Sequence, residues 1–433
     1  MAERPNNIAV KTRDLQHKLY QAAKRSPNRR FHVLYDRVYR KDVLRSAWLE
    51  VRDNQGAPGV DGITIADIEA SGVEVFLDVI EASLRDGTYR PQPVRRVWIP
   101  KPGKAELRPL GVAAIGDRVV QAALKIVLEP ILEADFLPCS YGFRPKRDAH
   151  QALHAVREAV RVGRVWVVDA DIESFFDRLG FDVTLGCLAE RVSDRRVLRL
   201  VRIILGAGVL DGKVLSYPGE GAPQGGPLSP LLANAVLHRL DRAWTEHHGR
   251  LGVLVRYADD EVICCPTKER AEAAMAVLAD TLAGLGLSLS GPKTRIVCVA
   301  GGDDGFDFLG FHHRMVPTRK RPDRRHLARW PSDKAMVRAR SRVREMTGRS
   351  RCHVPTEELV GEINQFLRGW GQYFRFGNST RHFQALDEYV VERMALLLSK
   401  RHGRAGRGHG LKHVVLSGDR LGLVRLSGTV RWD

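Results

Sequence analysis

The chain has 433 residues, 44% of them hydrophobic, and 69 Lys and Arg against 51 Asp and Glu give it a formal net charge of +18. That length supports several cores, and the positive balance points to a polyanionic partner whose phosphates it neutralises with release of counterions. Six cysteines without a Cys-x-x-Cys pair argue against a zinc site or a disulfide framework, and no run approaches the ~20 apolar residues of a spanning helix. A cytoplasmic protein, neither exported nor membrane-embedded, is expected.

Residues 1–50 read as a basic helical extension, with Leu15, Leu19 and Ala22 on one face and Phe31, Leu34, Tyr35 and Val38 on another, broken at Gln55–Gly59. Val94–Pro100 alternates apolar and basic residues, turns at Lys101–Lys104 and returns through Leu107–Leu110, a basic hairpin that by itself also fits a lysine-protected sheet edge. A helix with a broad buried face is predicted from Asp117 to about Leu132. Val165–Val168 is a strand-like run ending in Asp169-Ala170-Asp171-Ile172-Glu173-Ser174-Phe175-Phe176-Asp177. Pro223–Pro227 opens a helix over Leu228–Trp244, whose first turn exposes backbone N–H groups, a feature that also suits an ordinary cap. Arg256-Tyr257-Ala258-Asp259-Asp260 then forms the tip of a hairpin between Val253–Val255 and Val262–Cys265. From about 313 the composition turns strongly basic. Apolar stripes at Leu359, Ile363, Phe366, Leu367, Trp370 and Phe374, and at Leu386, Tyr389, Val390, Met394 and Leu397, predict helices with basic outer faces.

The chemistry lies in the acids. Adjacent aspartates at the end of two buried strands repel one another, and a divalent cation is their usual compensation. Asp171 ends another strand, so three carboxylates from separate strands can meet. Two metals about 3.5–4 Å apart activate a 3′-hydroxyl and stabilise a leaving pyrophosphate. Asp169 is the alternative to Asp171, which is preferred because it leads directly into the Ile172–Asp177 segment.

Seven motifs occur in one order: Ala57-Pro58-Gly59-Val60-Asp61-Gly62, Ile99–Gly103 through Arg108–Gly111, Ser140-Tyr141-Gly142-Phe143-Arg144-Pro145, Asp171–Asp177, Pro223–Pro230, Tyr257–Asp260 and Phe308-Leu309-Gly310-Phe311. In that order they resemble the reverse transcriptases encoded by bacterial group II introns, the intron maturases. The resemblance implies an α+β right-hand polymerase with fingers, a ferredoxin-like palm and an α-helical thumb. It implies two Mg²⁺ ions held by Asp171, Asp259, Asp260 and the Ile172 backbone. It places Arg95, Lys101, Arg108, Phe176, Gln224 and Lys293 around the incoming dNTP, with Phe176 excluding a 2′-hydroxyl. Arg144, Gly225, Tyr257, Gly310, Arg368 and Arg375 are the implied nucleic-acid contacts, the last two within Leu367–Gly377, which resembles the maturase thumb motif.

The expected organisation is an extension at 1–50, fingers at 51–168, palm at 169–312, thumb and maturase domain at 313–400, and a short basic tail at 401–433. The expected activity is RNA-directed DNA synthesis, with group II intron RNA, an RNA template, a DNA primer, dNTP and target DNA as partners and the oligomeric state left open. The longest family members continue into an endonuclease with paired cysteines, which this sequence is expected to lack. The alternative is a related enzyme recruited to a host role such as CRISPR spacer acquisition or phage defence.

Overall fold

The structure, a computed structural model, describes residues 5–100, 107–217, 219–222, 225–318, 320–403, 408–416 and 420–431. Lys101 and Gln224 therefore lie outside the described residues. The chain divides into two compact units of mixed helix and sheet. The first comprises Met1–Pro100, Glu106–Ala159 and Val167–Ile296, and the second includes Val160–Trp166 and the chain from Val297 onward.

The first unit is organised by the helix Ile115–Glu133, which is apolar on nearly every side and buries Val119, Val120, Leu124, Val127, Leu128 and Ile131. A helix of that kind needs neighbours all round. Two are N-terminal: Pro5–Arg25, which buries Leu15, Leu19 and Ala23, and Lys41–Asp53, which buries Val43, Leu44, Ala47, Trp48 and Val51. The buried residue is Ala23 in place of the expected Ala22, because 15, 19 and 23 keep a strict four-residue step along one face. Lys24 Nζ donates to the Ala134 carbonyl at 2.9 Å, and the Thr12 hydroxyl to that of Asp42 at 3.1 Å. The N-terminal segment is part of this unit's core and not an appendage to it.

Two sheets complete the first unit. Strands β1 (Val94–Pro100) and β2 (Leu107–Val112) form the predicted hairpin. A further hairpin joins it, with the order β2-β1-β4-β5. In chain order the strands between and after these are β3 (Trp166–Asp171), β4 (Val209–Asp211), β5 (Val214–Ser216), β6 (Val253–Tyr257), β7 (Asp260–Cys265) and β8 (Arg295–Cys298). The second sheet has the order β6-β7-β3-β8, so β3, which ends in Asp171, lies beside β7, which begins with Asp260. Helices Phe181–Ala189, Arg195–Leu205 and Ser229–Ala243 fall between β3 and β6, and Lys268–Ala283 falls between β7 and β8. Lys268–Ala283 starts at Thr267, whose hydroxyl accepts the Arg270 N–H at 3.3 Å.

The second unit begins inside β8, before the composition shift at 313, because charge marks a surface while packing sets the boundary. It holds a three-stranded sheet of β9 (Gly305–Phe308), β10 (Phe311–Thr318) and β11 (Arg321–Pro331) in the order β11-β10-β9. The region expected as an α-helical thumb from 313 thus opens on two strands before its helices begin. Arginines fall on both faces of β11, and residues 321–326 are all exposed, so no apolar alternation reveals the strand. Leu309 and Gly310, at φ 50 and 80, make the tight β9–β10 turn, and Phe311 packs on Phe374 and Tyr373 with ring centroids at 4.8 and 5.5 Å. Helices Asp333–Met346, Thr356–Phe374 and Thr380–Arg401 follow, and the two predicted stripes bury Leu359, Ile363, Leu367 and Phe374, and Leu386, Val390, Met394 and Leu397.

Nor is the region after 400 a simple tail. The Asp387 carboxylate accepts the Leu426 and Ser427 N–H groups at 2.9 Å, and Asn364 grips Gly422 and Val424, fastening the last described segment across both helices. Among the described residues no helix is long and apolar enough to cross a membrane.

Candidate active site

The hairpin of β6 and β7 pairs Tyr257 with Asp260, leaving Ala258 and Asp259 as its two-residue tip. Ala258 has φ 58, a left-handed value that costs a non-glycine residue about 1–3 kcal/mol unless its surroundings enforce it. The payoff is directional, because the turn carries Asp259 and Asp260 to the strand end where β3 delivers Asp171. Val255, Val262 and Ile263 anchor the hairpin in the core.

The acids differ in their protonation chemistry. Burial pushes the Asp259 carboxyl above its ordinary value, with Asp171 adding to the rise and Arg108 and Lys293 opposing it. Asp260 is pushed up to about 7, first by its dense surroundings and then by Asp259, Asp171 and Asp169, with Lys293 in opposition. The residue is nevertheless open to solvent on one side, so water screens part of that effect. Glu261, next along β7, is 1% exposed, and burial holds its carboxyl at about 8. It therefore adds little negative charge beneath the pair.

Lys293 donates to Asp171 Oδ2 at 2.5 Å, and Arg295 meets Asp169 Oδ2 at 3.4 Å. Cations thus pair with the β3 acids, while among the described residues Asp259 and Asp260 are only partly compensated, at longer range, by Arg108 and Lys293. Among the described residues no three carboxylate, imidazole or thiolate groups stand close enough together to grip a metal in this arrangement. The donor chemistry does fit a hard divalent ion, being carboxylates that repel one another and gain from a shared cation. Asp171 would exchange its lysine partner for such an ion. Ile172 is buried and forms an isolated antiparallel bridge with Leu289. The hydrogen bonds of that bridge run from Ser290 N to the Asp171 carbonyl and from Glu173 N to the Ser288 carbonyl, so the Ile172 carbonyl faces away from Leu289.

Around the acids, Phe175 is buried and Phe176 half-buried, their rings 5.2 Å apart and edge to face. Arg108 is exposed on β2. Arg95 donates to the Pro58 carbonyl at 2.6 Å, where the Ala57–Gly62 segment lies so close to Ala113 and Ala114 that Gly59 has no room for a Cβ. Gly225, at φ 111, lies against Leu110 and Gly111 of β2. Tyr257 is half-buried beside the exposed Phe143, ring centroids 6.3 Å apart.

Arg144 departs from expectation. Its guanidinium is buried, clamps Glu133 at 2.8 and 2.9 Å, and donates to the carbonyls of Phe136, Leu137 and Ser140. Its geometry is that of a loop staple in place of the expected nucleic-acid contact, since an arginine with this many internal acceptors has little left for a phosphate. In the second unit, Gly310 sits in the β9–β10 turn, Arg368 is exposed on its helix, and Arg375 lies half-buried over the Phe376 ring. Sequence reasoning passed over Arg256, Asp241 and Asn234. The available signal was a charged residue closing the apolar run Val253–Val255.

The chain is similar to known proteins along most of its length. Residues 99–313 match the model for the reverse transcriptase (RNA-dependent DNA polymerase) family, and residues 336–415 match that for the group II intron maturase-specific domain. Protein YkfC of Escherichia coli is 34% identical over 361 residues, covering 74% of this chain and 93% of that protein. The group II intron-encoded protein LtrA of Lactococcus lactis is 37% identical over 212 residues, 49% of this chain and 35% of its own length. A protein in the cob intron of Schizosaccharomyces pombe is 32% identical over 236 residues, 53% of this chain and 29% of its own. The chain belongs to the group II intron-encoded reverse transcriptases, RNA-directed DNA polymerases that carry a maturase domain.

Proposed function

We propose that the first unit supplies the fingers and a ferredoxin-like palm of a right-hand polymerase and the second its thumb, with Asp171, Asp259 and Asp260 as the catalytic acids. The observation that carries this reading is the convergence of Asp259 and Asp260 with Asp171 of the same sheet, close enough that their charges raise one another's carboxyls against partial opposition from Arg108 and Lys293. The strand–helices–hairpin–helix–strand order, with the first strand inside the sheet, supports the palm assignment.

Two divalent ions, Mg²⁺ by the donor type, would be held by the three aspartates with the Ile172 carbonyl. When bound they would supply activation of the primer 3′-hydroxyl and charge for the leaving pyrophosphate. The chain's own residues do the rest. Arg108, with Lys101 and Arg95, neutralises the triphosphate, since phosphoryl transfer is chiefly positioning and charge compensation. Phe176 closes the space beside the sugar, which favours dNTP over rNTP. Lys293 stands ready at the nucleotide, and Gln224 with Gly225 borders the template. Tyr257 of the first unit, and Gly310, Arg368 and Arg375 of the second, are each nucleic-acid contacts, and the basic outer faces of the second unit, with the N-terminal helices, take up group II intron RNA. Through that RNA the protein acts as a splicing maturase and in retrohoming into target DNA.

The test is primer extension with Asp259→Ala. We expect loss of at least about 10³-fold in cDNA synthesis, or about 4 kcal/mol of transition-state stabilisation, with RNA affinity retained. Normal synthesis by this variant would overturn the assignment.

A further inference from the structure

Arg256 is the last residue but one of β6, and its side chain is completely buried. A guanidinium offers five N–H donors, and all five are used. Nε and one terminal nitrogen hold both oxygens of Asp241, at 2.8 and 2.5 Å. That same nitrogen reaches Ser140 Oγ at 2.8 Å. The other donates to Asn234 Oδ1 and to the Ala258 carbonyl, each at 3.0 Å. Four bonds therefore fix the guanidinium to other elements. The fifth folds back to the tip of its own hairpin, at the peptide that joins Ala258 to Asp259.

A second brace reaches the same peptide. Residues 139–141 run parallel to β6, with Arg256 N donating to the Cys139 carbonyl at 2.8 Å and Tyr141 N to that of Arg256 at 2.9 Å. This brings Gly142 against the backbone of Tyr257 and Ala258, where a Cβ would collide with Ala258 N. Asn234 ties the two braces together, because its amide nitrogen donates to the Gly142 carbonyl at 2.8 Å while its oxygen accepts from Arg256.

Stability alone does not account for this arrangement. A buried ion pair gains little over well-packed apolar residues of similar volume, and an apolar pair would fill the same core. What an apolar pair lacks is a donor aimed at the Ala258 carbonyl, and Ala258 needs one, because its left-handed backbone persists only where neighbours enforce it. We propose that Arg256 is a positioning residue for polymerisation, holding the Ala258–Asp259 peptide so that the Asp259 carboxylate faces Asp171, with Asp241, Asn234 and Ser140 as its mount and Gly142 as the opposing wall. The inference rests on Asp259 being catalytic.

The experiment uses the full chain, with dTTP and Mg²⁺ on an oligo(dT)-primed poly(rA) template. Arg256→Met combined with Asp241→Leu removes both buried charges together, so no ion is left unpaired. The expected result is a melting temperature near that of the parent, unchanged template–primer affinity, a dTTP KM within about threefold, and kcat lowered about 100-fold, the scale of a misplacement of about 1 Å. Gly142→Ala, which pushes on the same peptide from the other side, is expected to lower kcat in the same way, and it carries the test if the double variant does not fold. Parental kcat in either folded variant overturns the proposal, as does a loss of kcat that only follows a loss of melting temperature or template affinity. Asp259→Ala run alongside separates the two claims. If it is active, the catalytic assignment fails; if it is inactive while Arg256→Met/Asp241→Leu runs at full rate, only the positioning role fails.

Discussion

Asp194 and Asp260 are the same side chain in opposite surroundings within one unit. Asp194, 8% exposed, accepts four backbone N–H groups: Leu34 and Tyr35 on one oxygen at 2.8 and 2.9 Å, and Arg196 and Val197 on the other at 3.0 and 3.3 Å. Burial alone would raise its carboxyl, but those donors together hold it below the usual range. Among the described residues Asp260 has no such donors, and it is pushed up to about 7. A carboxylate that builds the fold has its lone pairs filled by the protein; Asp260, proposed above as a catalytic acid, has few positive partners among the described residues. Asp387, which fastens the second unit's last segment, is of the first kind.

The largest effect expected from this contrast is on stability. Asp194→Ala removes a helix cap and the tie to the Leu34–Tyr35 segment, and should cost about 2 kcal/mol at neutral pH in urea unfolding. Because the folded carboxyl lies below its unfolded value, its contribution is present above about pH 4 and is lost as pH falls through the folded value. The variant and parent should therefore converge in acid. A constant difference down to pH 3 would mean that Asp194 acts by packing and not by charge.

Lys293→Ala sharpens the other side. It removes the cation from Asp171 and should slow dNTP incorporation about tenfold, roughly 1.4 kcal/mol, while unfolding hardly changes because both groups are partly exposed. An unchanged rate would show that this ion pair is only surface chemistry.

Asp260→Asn should give the smallest effect. In the folded state ionisation of Asp260 is disfavoured, so in chelator-treated protein the parent loses stability as pH rises from about 4 to about 7, and the asparagine does not. With solvent screening the variant should melt only about 1–2 °C higher at pH 8 and no higher below about pH 4. A lower melting temperature at pH 8 would place Asp260 with Asp194, as a carboxylate that supports the fold.

Much of the site was legible because its parts are local. Asp171 at the end of an apolar run and Asp259-Asp260 in a two-residue turn are read from alternation and adjacency alone. The helix Ile115–Glu133 and the stripes of the second unit were equally plain, since helical burial repeats within a few residues. Arg144 was misread because a buried guanidinium looks in sequence like an exposed one; only Glu133 and three carbonyls in space show its use. β11 was missed because arginine on both faces hides a strand's period.

The sequence by itself determined the charge balance, the acids, the order of the motifs and so the polymerase family, because these depend on residue identity and short-range pattern. Tertiary structure alone decided where the two units divide, which carboxylates are filled and which left short, and that Arg256 spends its five donors on Asp241, Asn234, Ser140 and Ala258. Those partners lie up to 116 residues away along the chain. Burial and hydrogen-bond satisfaction belong to neighbours in space, and no reading along the chain supplies them.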